Sequence, residues 1–285
     1  VTRPFLKMNG LGNDFVVVEA RSEPFAPSVE AARALADREG GVGCDQIIAI
    51  EPSSRADAFM RIWNADGGEV AACGNGARCV GWLVMEAAGR DAARLETAER
   101  ILEVSRAGAG AVSVDMGPPG LSWRDIPLSE AMDTRGIELQ VGPADAPVLH
   151  TPGCVSFGNP HVVFFVADAT AAPVEAVGPM IEHHALFPDR ANVGFAQIVS
   201  GDRIRLRVWE RGVGVTRACG TAACAAVVAA HRRGLTGRTV TVEVDGGELL
   251  VDWRTTDGHV LMTGPVAVEY AGRFATEGAR SATIR

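Results

Sequence analysis

Cys73-Gly74-Asn75-Gly76-Ala77-Arg78-Cys79 and Cys219-Gly220-Thr221-Ala222-Ala223-Cys224 are two versions of one phrase, set 146 residues apart (73 to 219). In each, a Cys-Gly pair leads into an alanine-rich run that reads as a helix, over 77–88 and 222–231. A cysteine at a helix start meets unpaired backbone N–H groups and the positive end of the helix dipole, both of which favour a thiolate. The neighbouring glycine lets the chain turn tightly and brings a backbone amide close to a ligand. One such site suggests a nucleophile. Two, in matching halves, suggest an opposed acid–base pair.

The offset is not confined to the cysteines. Gly12-Asn13 falls on Gly158-Asn159, Val16-Val17 on Val162-Val163, Gln46 on Asn192, and Gly68 on Gly214. Arg61-Ile62-Trp63-Asn64 falls on Arg207-Val208-Trp209-Glu210. Spaced blocks sharing one long offset imply two homologous domains, because a solenoid repeats over far shorter periods. Within the first copy, β-rich runs occupy 15–19, 46–50, 59–63, 101–104 and 111–116, and a helix over 28–38 is capped by Ser28. The second copy repeats the pattern at 162–166, 193–198, 204–209, 240–244 and 247–252, with a helix from Thr221.

The expected fold class is α+β: two duplicated domains, each a curved mixed or antiparallel sheet wrapped around one long central helix. The boundaries are expected at 1–118 and 119–264, joined by Gly117-Pro118-Pro119-Gly120, with 265–285 returning to pack on the first domain. A cleft between two related domains is the expected ligand site.

Composition excludes several functions. The chain has 285 residues, 47% hydrophobic and 22% charged, and no apolar run long enough to cross a membrane. A net charge of −8 argues against non-specific nucleic-acid binding. No secretory pattern precedes the first strand, so a cytoplasmic protein with mostly reduced thiols is expected. The six cysteines form no CxxC and do not group with histidines at zinc-like spacing, so no metal site is expected. No GxxxxGK[ST] or GxGxxG occurs, which leaves nucleotide binding without support.

Cys79 and Cys224 lie inside the helices, and Cys44 and Cys154 have no supporting pattern, so these four read as packing residues. Asn13, Gln46, Asn64, Asn159, Asn192 and Glu210 sit at strand ends or before glycine-rich turns. A lone asparagine there is ordinarily a turn former. Pairing across the repeat (13 with 159, 46 with 192, 64 with 210) shifts the balance towards amides lining a site for a small zwitterion. Glu210 and Arg211 read either as a solvated ion pair or as a clamp for an ammonium and a carboxylate.

These residues carry a resemblance to the diaminopimelate epimerase family. It rests on Phe5 through Phe15, Gly43-Cys44-Asp45-Gln46, Asn64-Ala65-Asp66-Gly67, both cysteine motifs, Gly158-Asn159-Pro160-His161, and Glu210 through Thr221. The resemblance implies inversion at the α-carbon of LL-2,6-diaminopimelate to the meso form, without a cofactor. Cys73 and Cys219 would be the acid–base pair. Backbone amides at Gly74, Asn75, Gly220 and Thr221 would meet the α-carboxylate. Asn64, Asn159, Asn192 and Arg211 would hold the distal end, Glu210 the ammonium, with Asn13 and Gln46 completing the site. His161 and Glu210 resemble residues that tune the thiols, although a strand-end histidine with a satisfied ring is the plainer reading of His161. A homodimer is also implied. Proline and hydroxyproline epimerases are the nearest alternative, but their first Cys-Gly is followed by histidine where this chain has Asn75.

Overall fold

The duplication is visible in the register of the strands. The computed structural model describes residues 2–71, 73–143, 145–275 and 283–284. They divide into two units: Val1–Val114 with Thr263–Arg285, and Asp115–Met262. The expected returning segment lies outside the described residues over 276–282 and at 285.

Unit 1 contains β1 (Thr2–Gly10), β2 (Asn13–Glu19), α1 (Val29–Ala36), β3 (Gln46–Glu51), β4 (Ala58–Asn64) and β5 (Glu69–Val70). The helix α2 (Gly74–Ala88) follows, then β6 (Ala92–Glu96), β7 (Ile101–Arg106) and β8 (Ala111–Asp115). Unit 2 opens with a small pair, β9 (Gln140–Val141) and β10 (Leu149–His150), followed by β11 (Gly153–Ser156) and β12 (Pro160–Phe165). Then come α3 (Val174–Glu182), β13 (Asn192–Ser200), β14 (Arg203–Glu210), β15 (Gly214–Thr216), α4 (Gly220–Arg232), β16 (Thr239–Val244) and β17 (Gly247–Trp253). β18 (Val260–Pro265) leads the chain to β19 (Ala267–Ala275) and β20 (Thr283–Ile284); β19 pairs antiparallel with β1.

In unit 1, β2 and β3 are parallel with Phe15 opposite Gln46; in unit 2, β12 and β13 are parallel with His161 opposite Asn192. Ile47 faces Trp63 across an antiparallel ladder, as Val193 faces Trp209. Ile62 faces Val70, as Val208 faces Thr216. Every one of these pairs is displaced by the offset of the cysteine motifs. A one-residue slip would turn each strand's core face to water, so matching registers mean matching sheets.

Each sheet packs on a central helix. In α4, every residue over 222–230 is buried, an unbroken run of alanine, valine and cysteine with no polar face. A helix apolar all round must be enclosed, and alanine combines high helix propensity with close approach of neighbouring strands. α2 packs on β1, β2, β4, β6 and β7 of its own unit. A second cluster in unit 2, including Phe164, Phe195 and Ile181, seats α3 against β13 and β14.

The helices differ from the expected bounds in an informative way. Both start at the glycine, three and two residues earlier than the alanine runs suggest, and the cysteines themselves are the N-cap residues. Glycine's penalty in a helix is conformational entropy paid in the interior, so it does little harm at the first position. α1 is shorter than 28–38, ending at Ala36, while Ser28 does cap it, with Oγ accepting from Ala31 N at 3.2 Å.

Candidate functional site

Each unit carries a half-site built on the N-terminus of its central helix. In unit 1, Cys73 has extended backbone (φ −148°, ψ 112°) and its Sγ accepts a hydrogen bond from the Gly76 N–H at 3.3 Å. Sulfur thus takes the role that serine or aspartate usually fills at an N-cap. A charged sulfur gains more from that amide than a neutral one, so the capping geometry lowers the cost of the thiolate. The amides of Gly74 and Asn75 belong to the same first turn, and the Asn75 side chain is buried.

Asn13 faces the same sulfur. A two-residue hairpin at Leu11-Gly12, with φ of 67° and 81°, makes Asn13 the first residue of β2. The Cys73 thiol lies 3.8 Å from Asn13 Oδ1, to which it donates. The amide's orientation is set on its other side, where Asn13 Nδ2 donates to Asp45 Oδ2 at 2.8 Å. Asp45 also accepts from the Asp14 backbone N–H at 3.0 Å and from Arg38 at 2.7 Å. Asp14 in turn pairs with buried Lys7 at 2.6 Å and with Arg38 at 2.9 Å. Burial alone would raise the Asp14 pKa, but hydrogen bonds from Arg38 and Lys7 outweigh it and hold the carboxyl well below the usual range. Gln46 and Asn64 stand opposite each other on β3 and β4, and Gln46 Nε2 donates to Asn64 Oδ1 at 2.9 Å. Gln46 Oε1 is buried and has no hydrogen-bond partner among the described residues, an acceptor open to a ligand.

Unit 2 treats its thiol differently. Cys219 caps α4 (φ −124°, ψ 110°) and is only 6% exposed, and hydrogen bonds from the Thr221 hydroxyl and the Ala222 backbone N–H favour its charged form. Burial raises its pKa well above 9, and the nearby Glu210 carboxylate, which accepts from the thiol, raises it further. Burial likewise raises the Glu210 pKa, partly offset by hydrogen bonds from Thr216 and Cys219. Burial and the Glu210 carboxylate both favour the protonated form of Cys219.

A second chain of hydrogen bonds reaches the same sulfur. His161 is 1% exposed, and burial, reinforced by the positive charge of Arg211, lowers its pKa to about 3. Its ring is neutral at physiological pH. His161 Nε2 lies 3.1 Å from Asn159 Oδ1, an oxygen that can only accept, which assigns the proton to Nε2. Asn159 Nδ2 donates to Thr221 Oγ1 at 3.4 Å, and Thr221 Oγ1 lies 3.5 Å from Cys219 Sγ. The hydroxyl that accepts from Asn159 keeps its own proton to offer to sulfur.

Asn192 and Arg211 belong to one turn. Asn192 is 4% exposed, with Nδ2 donating to Pro160 O at 3.0 Å and Oδ1 accepting from the Arg211 backbone N–H at 3.0 Å. Its amide thus fixes Arg211, whose guanidinium donates to Asp189 O at 2.8 Å. In unit 1 the structure brings together Asn13, Cys73, Gly74 and Asn75, and pairs Gln46 with Asn64. In unit 2 it gathers His161, Asn159, Thr221, Cys219 and Glu210 in one cluster, and Asn192 with Arg211 in another. The sequence did not reveal the parts played by Asp45, Thr216 and Glu182, none of which stands out by spacing. Cys44, Cys79 and Cys154 have their thiols pushed up to about 12 by burial, which suits packing and not proton transfer. Among the described residues, no group of three or more His, Cys, Asp or Glu side chains is arranged to hold a metal ion. Among them, too, no helix is long and apolar enough to cross a membrane.

Comparison with known proteins follows the same two halves. The family described as diaminopimelate epimerase matches residues 5–122 and 153–269. A diaminopimelate epimerase of Phenylobacterium zucineum is 63% identical over 272 residues, covering 95% of this chain and 98% of the relative. One from a Caulobacter species is 57% identical over 283 residues, covering 96% and 98%. Among solved structures, a predicted epimerase from Pseudomonas aeruginosa superposes with a TM-score of 0.67 at 19% identity, covering 94% of this chain and 98% of the other. A hydroxyproline epimerase from Agrobacterium vitis gives 0.66 at 18%, covering 95% and 92%. At such identities these two structures share the fold.

Proposed function

The chain belongs to the diaminopimelate epimerase family, and from that membership we propose that it converts LL-2,6-diaminopimelate to the meso isomer with Cys73 and Cys219 as its acid–base pair. The observation that carries this reading is the placement of both thiols as N-caps of equivalent central helices.

An amino-acid α-proton is very weakly acidic, so removal and replacement must be assisted together. One thiolate takes the proton: the C–H bond breaks, an S–H bond forms, and the electron pair spreads into the α-carboxylate as an enediolate. The other thiol delivers its proton to the opposite face of the carbon. No electron is gained or lost, and the two sulfurs exchange roles when the reaction runs backwards. The first-turn amides at Gly74, Asn75, Gly220 and Thr221 stabilise the growing charge on the carboxylate, an environment worth several kcal/mol in dry sites, roughly 3–4 per donor. Cys219, held protonated beside Glu210, suits the donor's part at rest.

Recognition of the distal amino-acid centre falls to Asn64, Asn159 and Arg211, with Asn192 placing the Arg211 backbone. Glu210 meets the ammonium once substrate displaces its thiol contact. Asn13 and the unsatisfied oxygen of Gln46 complete the set. The chemistry calls on no cofactor and no metal ion. A homodimer working in the cytoplasm, supplying lysine and peptidoglycan precursors, is part of the same proposal.

Incubation in deuterated water with LL-diaminopimelate, and separately with L-proline and trans-4-hydroxy-L-proline, tests it. Deuterium is expected at the α-carbon of diaminopimelate alone. Label entering only a ring amino acid would replace this reading with that of a proline-type epimerase.

A further inference from the structure

Glu182 is 2% exposed, carries a carboxylate, and has no part in the chemistry above. It ends α3, the helix packed on β13, β14 and β15 of unit 2. Its Oε2 accepts from the indole Nε1–H of Trp209 at 2.7 Å. Its Oε1 accepts from the backbone N–H of Gly212 at 2.9 Å, and Arg190 stands 3.5 Å away. His183, on the surface, lies 4.0 Å from the same oxygen.

Those contacts bracket Glu210 and Arg211. The segment 210–213 is a tight turn closed by Val213 N donating to Glu210 O at 3.1 Å, with Gly212 at φ 74°. A positive φ there suits glycine, and a glycine left unsupported is free to leave it. Two consecutive backbone N–H groups of this turn are taken by buried side chains from elsewhere: Arg211 N by Asn192 and Gly212 N by Glu182. The residue before the turn's start, Trp209, is held by the other Glu182 oxygen. One buried carboxylate therefore clasps the segment on both sides of the two residues that present a carboxylate and a guanidinium to a ligand. Burying a carboxylate is costly unless its oxygens are satisfied, so a plain packing role would be met more cheaply by an apolar side chain. The equivalent helix in unit 1 ends in Ala36, which can do nothing of the kind.

We propose that Glu182 is a positioning residue that sets how Arg211 and Glu210 meet the distal end of the substrate. The inference rests on the diaminopimelate reading of this site. It acts on binding more than on proton transfer, because Glu182 touches neither sulfur.

The test compares Glu182→Gln, Glu182→Ala and Trp209→Phe with the natural protein, using LL-diaminopimelate kinetics and thermal unfolding. Glu182→Gln is nearly isosteric and keeps one acceptor oxygen, so it folds even if the alanine variant does not. The expected result is KM raised at least about tenfold in Glu182→Ala and by a smaller factor in Glu182→Gln, with kcat within about threefold of natural. Trp209→Phe, which leaves the Gly212 contact in place, should lower the melting temperature with little change in KM. Folded Glu182 variants with natural KM would overturn the proposal. So would Trp209→Phe matching Glu182→Gln in KM, because the carboxylate would then merely tie a helix to a strand. If the natural protein itself fails to turn over LL-diaminopimelate, the functional reading falls instead.

Discussion

Cys73 and Cys219 cap equivalent helices at equivalent registers, yet their surroundings are tuned in opposite senses. Cys73 is half-buried, accepts a helix amide, and faces an amide oxygen whose direction is set by a carboxylate behind it. Cys219 is buried and faces a carboxylate directly, and these two effects outweigh the hydrogen bonds it receives from Thr221 and the Ala222 amide. The two units share one frame, and the residues flanking the two thiols differ. On the proposed reading, each turnover needs one sulfur charged and the other protonated. Two thiolates could not supply a proton, and two thiols could not remove one. The position that is Asn64 in unit 1 is Glu210 in unit 2, and that exchange alone places a negative charge beside one sulfur and a neutral amide in the other unit.

The comparison breaks most severely if the thiols are dispensable. Cys73→Ala and Cys219→Ala should each reduce epimerisation by at least about 10³-fold, within the range for loss of a positioned acid or base. Circular dichroism should remain that of the natural protein. A next, smaller effect sharpens the asymmetry. In Glu210→Gln the negative charge beside Cys219 is gone, so the Cys219 pKa should fall, and its alkylation by iodoacetamide should begin at lower pH. The alkylation profile of Cys73 should not move; parallel shifts at both sulfurs would contradict independent tuning. Asp45→Ala should do the converse, freeing the Asn13 amide to turn and lowering kcat/KM by about tenfold, roughly 1.4 kcal/mol, with Cys219 alkylation unchanged.

Much of this was legible in the sequence, for physical reasons. Central helices, core strands and both cysteines appear at one offset because a shared register must conserve core-facing positions. Gln46 and Asn192, or Trp63 and Trp209, could be matched without any structure. The alanine runs mark helix starts late because glycine reads as a breaker, whereas Gly74 and Gly220 occupy first turns where a breaker does little harm. β6 is hidden in the sequence because Ala92–Glu96 has helical composition, and α3 because Gly178 and Pro179 interrupt its pattern. The supporting groups, Asp45 and Glu182, were invisible for a different reason. They act through single hydrogen bonds across long sequence separations, and no periodicity marks such a residue. The sequence allows two readings of His161, and the structure shows a buried neutral ring joined to Cys219 through Asn159 and Thr221.

That burial predicts an effect on stability and not on turnover. A histidine near 6.5 when unfolded and about 3 when folded binds its proton preferentially in the unfolded chain. Its contribution is neutral above pH 6.5, and stability is lost as pH falls from there towards 3, by at most about 1.4 kcal/mol per pH unit. Urea unfolding of His161→Gln should show a shallower decline over that window than the natural protein. An identical slope would mean that the ring is protonated in the native state.

The most direct test of two opposed thiols is the fate of the proton in a single passage. LL-diaminopimelate converted briefly in deuterated water should yield meso product carrying deuterium at the inverted carbon from the first turnover, while recovered substrate stays unlabelled. The proton removed leaves on one sulfur and the proton delivered comes from the other. Early product that retains the substrate's own hydrogen would mean one group serves both faces, and the paired-thiol account would be wrong.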